Sequence, residues 1–198
     1  MKEIAFIIVC LTLTQSSLCR SQGSQPPFVF TLYAGLFFPS QTHFEQIYGS
    51  RSDAIWGFGA ALPIEPLLFL TGDLAYFRSE GYFDRTIDSA AKLEQRFYHV
   101  GILTNQTISR LLYIRLSGGF SYVTIKQTTS SPLITEQSVE ADRKIGYFGG
   151  IGIERLLQEE RLSFFADVLY DYRRSHSKEL FGDFGGVRII MGVHIFMF

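Results

Sequence analysis

Apolar residues alternate with small or polar residues in eight successive segments of the chain. In the last segment, for example, Val187, Ile189 and Met191 alternate with Arg188 and Gly192. Successive side chains of a β-strand point to opposite faces, so this period of two predicts strands. The eight predicted strands cover residues 28–38, 56–62, 68–76, 98–105, 112–122, 144–154, 162–173 and 187–197. No segment has a sustained helical period, and the pattern therefore predicts an all-β fold.

The connections between these strands alternate between short and long. The short ones are predicted at residues 63–66, 108–110 and 157–160. The long ones are polar and are predicted at residues 39–53, 79–92, 127–142 and 174–184. Short turns at one end and long loops at the other predict antiparallel strands that run up and down around a closed barrel.

Aromatic residues mark one height on the apolar face of the predicted barrel. Seven of the eight strands carry one at the end nearest the long loops, and only the last strand has Val187 there instead. The seven residues are Phe38, Trp56, Tyr76, Tyr98, Tyr122, Tyr147 and Tyr172. Amphipathic rings of this kind lie at the boundary between membrane and water, so the apolar face is predicted to meet lipid. The alternative is a soluble, lipocalin-like barrel whose apolar face lines a ligand cavity.

The first residues have the pattern of a secretory signal peptide. Lys2 precedes an apolar run at residues 4–13, and a polar stretch follows at residues 14–23. The run is too short for a membrane-spanning helix, and cleavage is predicted within about residues 19–23. Both cysteines, Cys10 and Cys19, lie in this segment. The predicted mature domain, residues 24–198, therefore has no disulfide and no thiol nucleophile.

The net charge of the chain bears on its partners, and its aromatic content and mean hydropathy support the membrane interpretation. The formal net charge is -1, which argues against a nucleic-acid partner. Aromatic residues make up 15% of the chain and the mean hydropathy is +0.14, although no uninterrupted apolar stretch follows the signal segment that would suit a spanning helix.

The C-terminal strand closes on Phe198, which resembles the signal by which outer-membrane barrels are recognised for assembly. The apolar series of this strand ends at Met197, so Phe198 either faces inward or follows a bulge. Together with the signal segment, the eight strands and the loop asymmetry, the mature chain resembles the small outer-membrane β-barrel proteins of the OmpA-barrel and OmpX type. The resemblance implies an eight-stranded antiparallel up-and-down transmembrane β-barrel, monomeric, in the outer membrane of a Gram-negative cell. Its implied partners are outer-membrane lipid and the barrel-assembly machinery, which would bind the C-terminal strand.

Polar and charged residues on the other face are predicted to form an interior polar network. Arg115 with Glu154, and Asp171 with Arg188, lie at similar heights on neighbouring strands and are predicted ion pairs. The ten predicted members of the network are Asp73, His99, Arg115, Lys144, Glu154, Asp167, Asp171, Arg173, Arg188 and His194. Eight strands enclose only enough space for side chains, so the sequence favours a polar plug over an open pore or an ion path.

No group of residues in the sequence has the spacing expected of a catalytic site. Residues 173–178, Arg-Arg-Ser-His-Ser-Lys, differ from the H-x-S-N spacing of the lipid A deacylases. The four histidines are far apart and have no metal-ligand spacing, and no cofactor motif is present. The sequence therefore predicts no catalytic, cofactor or metal site. It leaves open a structural barrel, a barrel that binds an extracellular ligand at its long loops, and a lipid-modifying enzyme with a divergent site.

Overall fold

The computed structural model of the chain describes residues 28–41, 44–84, 89–131, 134–157, 161–176, 181–183 and 185–197. The predicted signal segment, residues 1–23, and the terminal Phe198 lie outside the described residues. Within this part of the chain the elements follow the order β1 Phe28–Pro39, α1 Phe44–Tyr48, β2 Asp53–Glu65, β3 Leu68–Asp84, β4 Ser89–Ser109, β5 Leu112–Ser131, β6 Ile134–Leu156, β7 Leu162–Tyr172, β8 Arg174–His176, β9 Phe181–Asp183 and β10 Gly186–Met197.

Eight of these strands form one closed barrel. Around the barrel they follow the order β1, β10, β7, β6, β5, β4, β3 and β2, and every neighbouring pair is antiparallel. Strands β8 and β9 form a separate two-stranded sheet in the fourth long connection. The prediction of an all-β, eight-stranded antiparallel barrel is confirmed.

The first and last strands close the barrel. Strands β1 and β10 pair without a break in register from Phe28 opposite Met197 to Pro39 opposite Gly186. This seam leaves neither strand with a free edge along the barrel wall. Closure therefore satisfies the backbone hydrogen bonds that an open sheet would leave unpaired.

The apolar series of each strand faces out of the barrel. Ile145 and Met191 are 76% and 69% exposed, whereas Phe37, Phe77 and Phe97 on the opposite series are fully buried. A lipocalin-like barrel would turn the apolar series inward, so the structure disagrees with that alternative. Among the described residues, no helix is long and apolar enough to cross a membrane.

The second and third long connections are largely strand, which corrects the expectation of irregular loops. Strands β3 and β4 stay paired until Asp84 opposite Ser89, and β5 and β6 until Ser131 opposite Ile134. In the second connection Glu80 and Lys92 lie opposite each other on the outer face, whereas Ser79 and Ala91 on the inner face are buried. The third contains Thr128, Thr129, Ile134, Thr135 and Val139, residue types that favour strands. The polar composition of these two connections therefore reflects their exposure to water and does not indicate an irregular backbone.

A short helix in the first long connection covers the long-loop end of the barrel. Phe44 and Tyr48 of α1 are buried, with their rings stacked 4.6 Å apart, and the ring of Phe44 lies 6.2 Å from that of Phe77. A Cβ atom at Gly81 would clash with the carbonyl oxygen of Ile47. The glycine in β3 therefore allows the helix to pack directly against the barrel wall.

We predict that Gly192→Ala destabilises the barrel. A Cβ atom at Gly192 would clash with the carbonyl oxygen of Leu32 and lie 2.7 Å from the ring of Phe165. Overpacking of this kind should lower the free energy of unfolding by about 1–3 kcal/mol, measured by urea titration in detergent micelles. Gly72→Ala is the matched control, because its Cβ would lie 3.7 Å from the nearest atom. Equal midpoints for the two variants would contradict the packing argument.

Candidate functional site

Asp171 is the centre of a charged group that we name the upper charge cluster, composed of Asp73, His99, Asp171, Arg173 and Arg188. One carboxylate oxygen of Asp171 lies 2.8 Å from Arg173 Nη2 and 2.9 Å from His99 Nε2. The other oxygen lies 2.8 Å from Arg188 Nε. Asp171, Arg173 and Arg188 are all buried, so the two guanidinium groups compensate the carboxylate away from water.

His99 connects Asp171 to a second carboxylate. His99 Nδ1 lies 3.0 Å from Asp73 Oδ1, and the Tyr33 hydroxyl donates to the same oxygen over 2.6 Å. The imidazole of β4 thus bridges Asp73 on the neighbouring strand β3 and Asp171 on β7. This contact crosses the lumen and ties non-adjacent walls of the barrel together.

A second group, which we name the lower charge cluster, lies nearer the short turns and contains Arg115, Glu154, Asp167 and His194. Arg115 Nη1 lies 3.2 Å from Glu154 Oε2, and Arg115 Nε lies 3.1 Å from Asp167 Oδ1. His194 Nδ1 lies 2.8 Å from Glu154 Oε1. All four side chains are buried, and Glu154 has a cationic or hydrogen-bonding partner at each oxygen.

Neutral side chains complete the lower charge cluster. Asn105 Nδ2 donates to Glu154 Oε2 over 3.0 Å, and the Ser163 hydroxyl donates to Glu154 Oε1. The Arg115 guanidinium also lies 4.3 Å from the ring centre of Phe165. Sequence reasoning did not assign Tyr33, Asn105 or Ser163 to the network. Their place on the inward-facing series was the signal that could have identified them.

Buried apolar side chains occupy both ends of the interior. At the short-turn end Val29, Ala61, Phe69 and Leu103 form one cluster, with Phe196 packed against it. At the long-loop end a larger cluster includes the buried side chains of Phe37, Phe44, Tyr48, Ile55, Phe77, Leu93, Phe97, Val123 and Ile125. A cavity of about 70 Å³ touches both charge clusters, since Asp73, Arg115, Asp167 and His194 all line it.

The predicted interior residues thus fall into two separate groups. The upper charge cluster takes five of the ten and the lower charge cluster four, while the side chain of Lys144 lies outside those that the structure describes. His43 lies outside the described residues, as does the side chain of His176. Across the described part of the chain, no three histidine, cysteine or acidic side chains are placed to hold a metal ion.

The predicted aromatic girdle lies on the outward-facing series. The rings of Trp56 and Tyr76 are 5.6 Å apart, and those of Tyr98 and Tyr122 are 5.7 Å apart. Tyr147 lies opposite Tyr172 in the register of β6 and β7, and Phe38 lies opposite Val187 in that of β1 and β10. Cross-strand contacts between these rings stabilise the outer wall.

Solved structures identify the fold. A major outer-membrane protein of Thermus thermophilus aligns with a TM-score of 0.58 at 11% identity, over 85% of this chain and 98% of that chain. This is the fold of the small eight-stranded outer-membrane β-barrels. Ail, the attachment invasion locus protein of Yersinia pestis, in complex with the heparin analogue sucrose octasulfate, aligns with a TM-score of 0.54 at 13% identity, over 85% and 96% of the two chains. Neisserial surface protein A aligns with a TM-score of 0.53 at 11% identity, over 86% and 96%.

Sequence comparisons add nothing to this outer-membrane barrel fold. No protein-family model matches the chain, and no curated protein matches it. The interior of the barrel, as far as the structure describes it, contains compensated charges and packed rings, an arrangement that stabilises the barrel.

We predict that Asp171→Asn strongly destabilises the barrel. The substitution leaves the buried Arg173 and Arg188 without their shared carboxylate, which should cost about 3–5 kcal/mol. Urea unfolding in detergent micelles measures the loss. Glu80→Gln is the control, because it removes the acidic partner of the exposed Arg78 and should leave the unfolding midpoint unchanged. A small effect at Asp171 would show that water reaches the upper charge cluster.

Proposed function

We propose that the chain spans a bacterial outer membrane as a sealed barrel and serves as a structural or ligand-binding protein of the cell surface. The observation that carries this proposal is the filling of the lumen. Two charge clusters occupy its middle and buried apolar clusters occupy both ends. A barrel filled in this way has no open channel through its lumen. Its function would therefore reside on the wall or at the long-loop end.

The outward-facing surface supports the membrane location. Val100, Phe120, Ile151 and Met191 on four different strands are all more than half exposed. A continuous apolar wall of this extent would cause aggregation in water, whereas lipid acyl chains would cover it favourably. The girdle of tyrosine and tryptophan residues at one end gives this wall a boundary.

Features of the sequence outside the described residues support export and assembly. The signal segment, residues 1–23, would direct the chain across the inner membrane. The C-terminal strand with Phe198 would be recognised by the barrel-assembly machinery. We propose that the protein remains a monomer, because closure of the barrel leaves no unpaired strand edge in the membrane to recruit a second copy.

The long-loop end is the surface that we propose for binding. Strands β4, β5 and β6 contain 21, 20 and 23 residues, about twice the 9–11 that a tilted strand needs to cross a bilayer. The extra length forms a wall of paired strands beyond the aromatic girdle, with α1 packed against β3. Ail, which shares the fold, was solved with a heparin analogue, so barrels of this shape include one that binds a ligand.

Fractionation of a Gram-negative host tests the location. We expect the full chain to be recovered in outer membranes and to migrate differently on an SDS gel before and after boiling, because a closed barrel resists detergent. Recovery as a soluble periplasmic protein with no such shift would contradict the proposal.

We also predict that the purified chain forms no open channel. In planar lipid bilayers it should give no conductance steps of uniform size, since packed side chains occupy both ends of the lumen. A barrel of 16 or more strands, which leaves an aqueous channel, is the positive control for the measurement. Reproducible steps from the protein would contradict the sealed interior.

A further inference from the structure

A glutamine is enclosed among apolar side chains at the long-loop end of the lumen. Gln95 of β4 is 1% exposed and lies opposite Phe77 of β3 and Ile125 of β5 in the strand register. Leu93 and Phe97, its neighbours on the inward-facing series of β4, are also fully buried. Among the described residues, no group forms a hydrogen bond with Gln95 Oε1. This end of the interior therefore contains a polar acceptor without a donor.

Such an acceptor is costly for the stability of the barrel. An amide oxygen that is buried without a hydrogen bond loses its bonds to water and gains none in exchange. A leucine of nearly the same size would fill the position without that loss. Departures from the rule that buried polar groups are bonded are expected at functional sites. Gln95 thus indicates a ligand that donates a hydrogen bond.

Helix α1 covers this end of the lumen through a few ring contacts. Phe44 lies against Phe77, with the ring centroids 6.2 Å apart, and Tyr48 stacks on Phe44. Five residues are too few for a helix that is stable alone, so α1 depends on these contacts. Gly49 follows the helix with a φ of 73°, a conformation that glycine adopts without strain. The helix can therefore open locally while the barrel strands stay paired.

The surroundings of this amide restrict the chemistry of the ligand. The ring of Phe37 lies edge-on to those of Phe77 and Phe97, at centroid distances of 5.0 and 5.2 Å, and such a group of rings favours an aromatic ligand. The guanidinium carbons of Arg173 and Arg188 lie 5.0 and 5.7 Å from the ring centre of Phe97. These two cations would repel an ammonium donor, whereas a neutral hydroxyl group can donate to the amide.

We infer that this end of the lumen binds a small aromatic molecule with one hydroxyl group, a phenol, which enters from outside the cell. The hydroxyl donates to Gln95 Oε1, and the ring takes the place of the Phe44 ring against Phe77 while α1 moves aside. Gln95 lies three positions beyond Tyr98 of the girdle along β4, so the site is on the water side of the girdle. The inference rests on the proposed use of the long-loop end for binding.

Methyl NMR spectroscopy of the full chain in detergent micelles tests the site, with 4-ethylphenol and ethylbenzene as probes. The two probes differ only in the hydroxyl group, and shifts of the Leu93 and Ile125 methyl signals report binding at the site itself. We expect the wild-type protein to bind 4-ethylphenol about tenfold more tightly than ethylbenzene, after correction for partition into the micelles.

The variant Gln95→Leu separates a ligand site from a structural role. Its preference for 4-ethylphenol should fall to within about twofold, and its urea midpoint should rise because the unbonded amide is gone. Gln106→Leu is the matched control, since Gln106 is a half-buried, outward-facing glutamine of the same strand at the short-turn end. This control should keep the wild-type preference between the probes.

Equal binding of the two probes by the wild type, or an unchanged preference in Gln95→Leu, would overturn the site. A lower urea midpoint for Gln95→Leu would also overturn it, because the amide would then have a partner such as a buried water molecule. Phe44→Ala should bind both probes more tightly, since the Phe44 ring competes with them for Phe77, and weaker binding would overturn the role of α1 as a cover. Fractionation tests the membrane location separately, so a failure there is distinct from a failure of this site.

Discussion

The pairing of β1 with β10 is the interaction on which the rest of the structure depends. It joins the two ends of the strand series into a closed wall, so every barrel strand has a partner on both sides. Only then can the wall lie in lipid, where an unpaired backbone group has no water to bond. Closure also separates two surfaces completely. Apolar side chains lie on the outer surface. Because side chains alternate along each strand, the polar side chains must then point into the lumen.

A lumen filled by charges is stable only if those charges compensate one another. Asp171 and Glu154 each contact a guanidinium group and a histidine, and the histidine ring of His99 extends the contacts to a further carboxylate. Two of these contacts, between His99 and Asp171 and between His194 and Glu154, join strands that are not neighbours in the wall, so they fix the cross-section of the barrel as well as its charge. Asp171 and Glu154 are buried, and burial strengthens their electrostatic contacts with the neighbouring cations.

Much of this architecture could be predicted from the sequence, because the alternation of side chains along a strand appears in the sequence as alternating apolar and polar residues. The period of two predicts the strands and the outward direction of residues such as Met191. It also places Arg115 beside Glu154, whose charged atoms lie 3.2 Å apart in the structure. The contact between His99 and Asp171 could not be predicted, since it crosses the lumen and depends on the stagger of strands around the barrel. Helix α1 could not be predicted either, because its five residues are too few to show a helical period.

The same seam also bears on the order in which the barrel can assemble. Of its eight strand pairings, seven join barrel strands that follow one another in chain order, and one joins the first barrel strand to the last. Hairpins can therefore form and add to one another through local contacts with little loss of chain entropy. The final pairing must wait until β10 is available, since nothing else can satisfy the free edge of β1. The last barrel strand in chain order is thus also the strand that completes the closed barrel, and a chain without β10 is left with two unpaired strand edges.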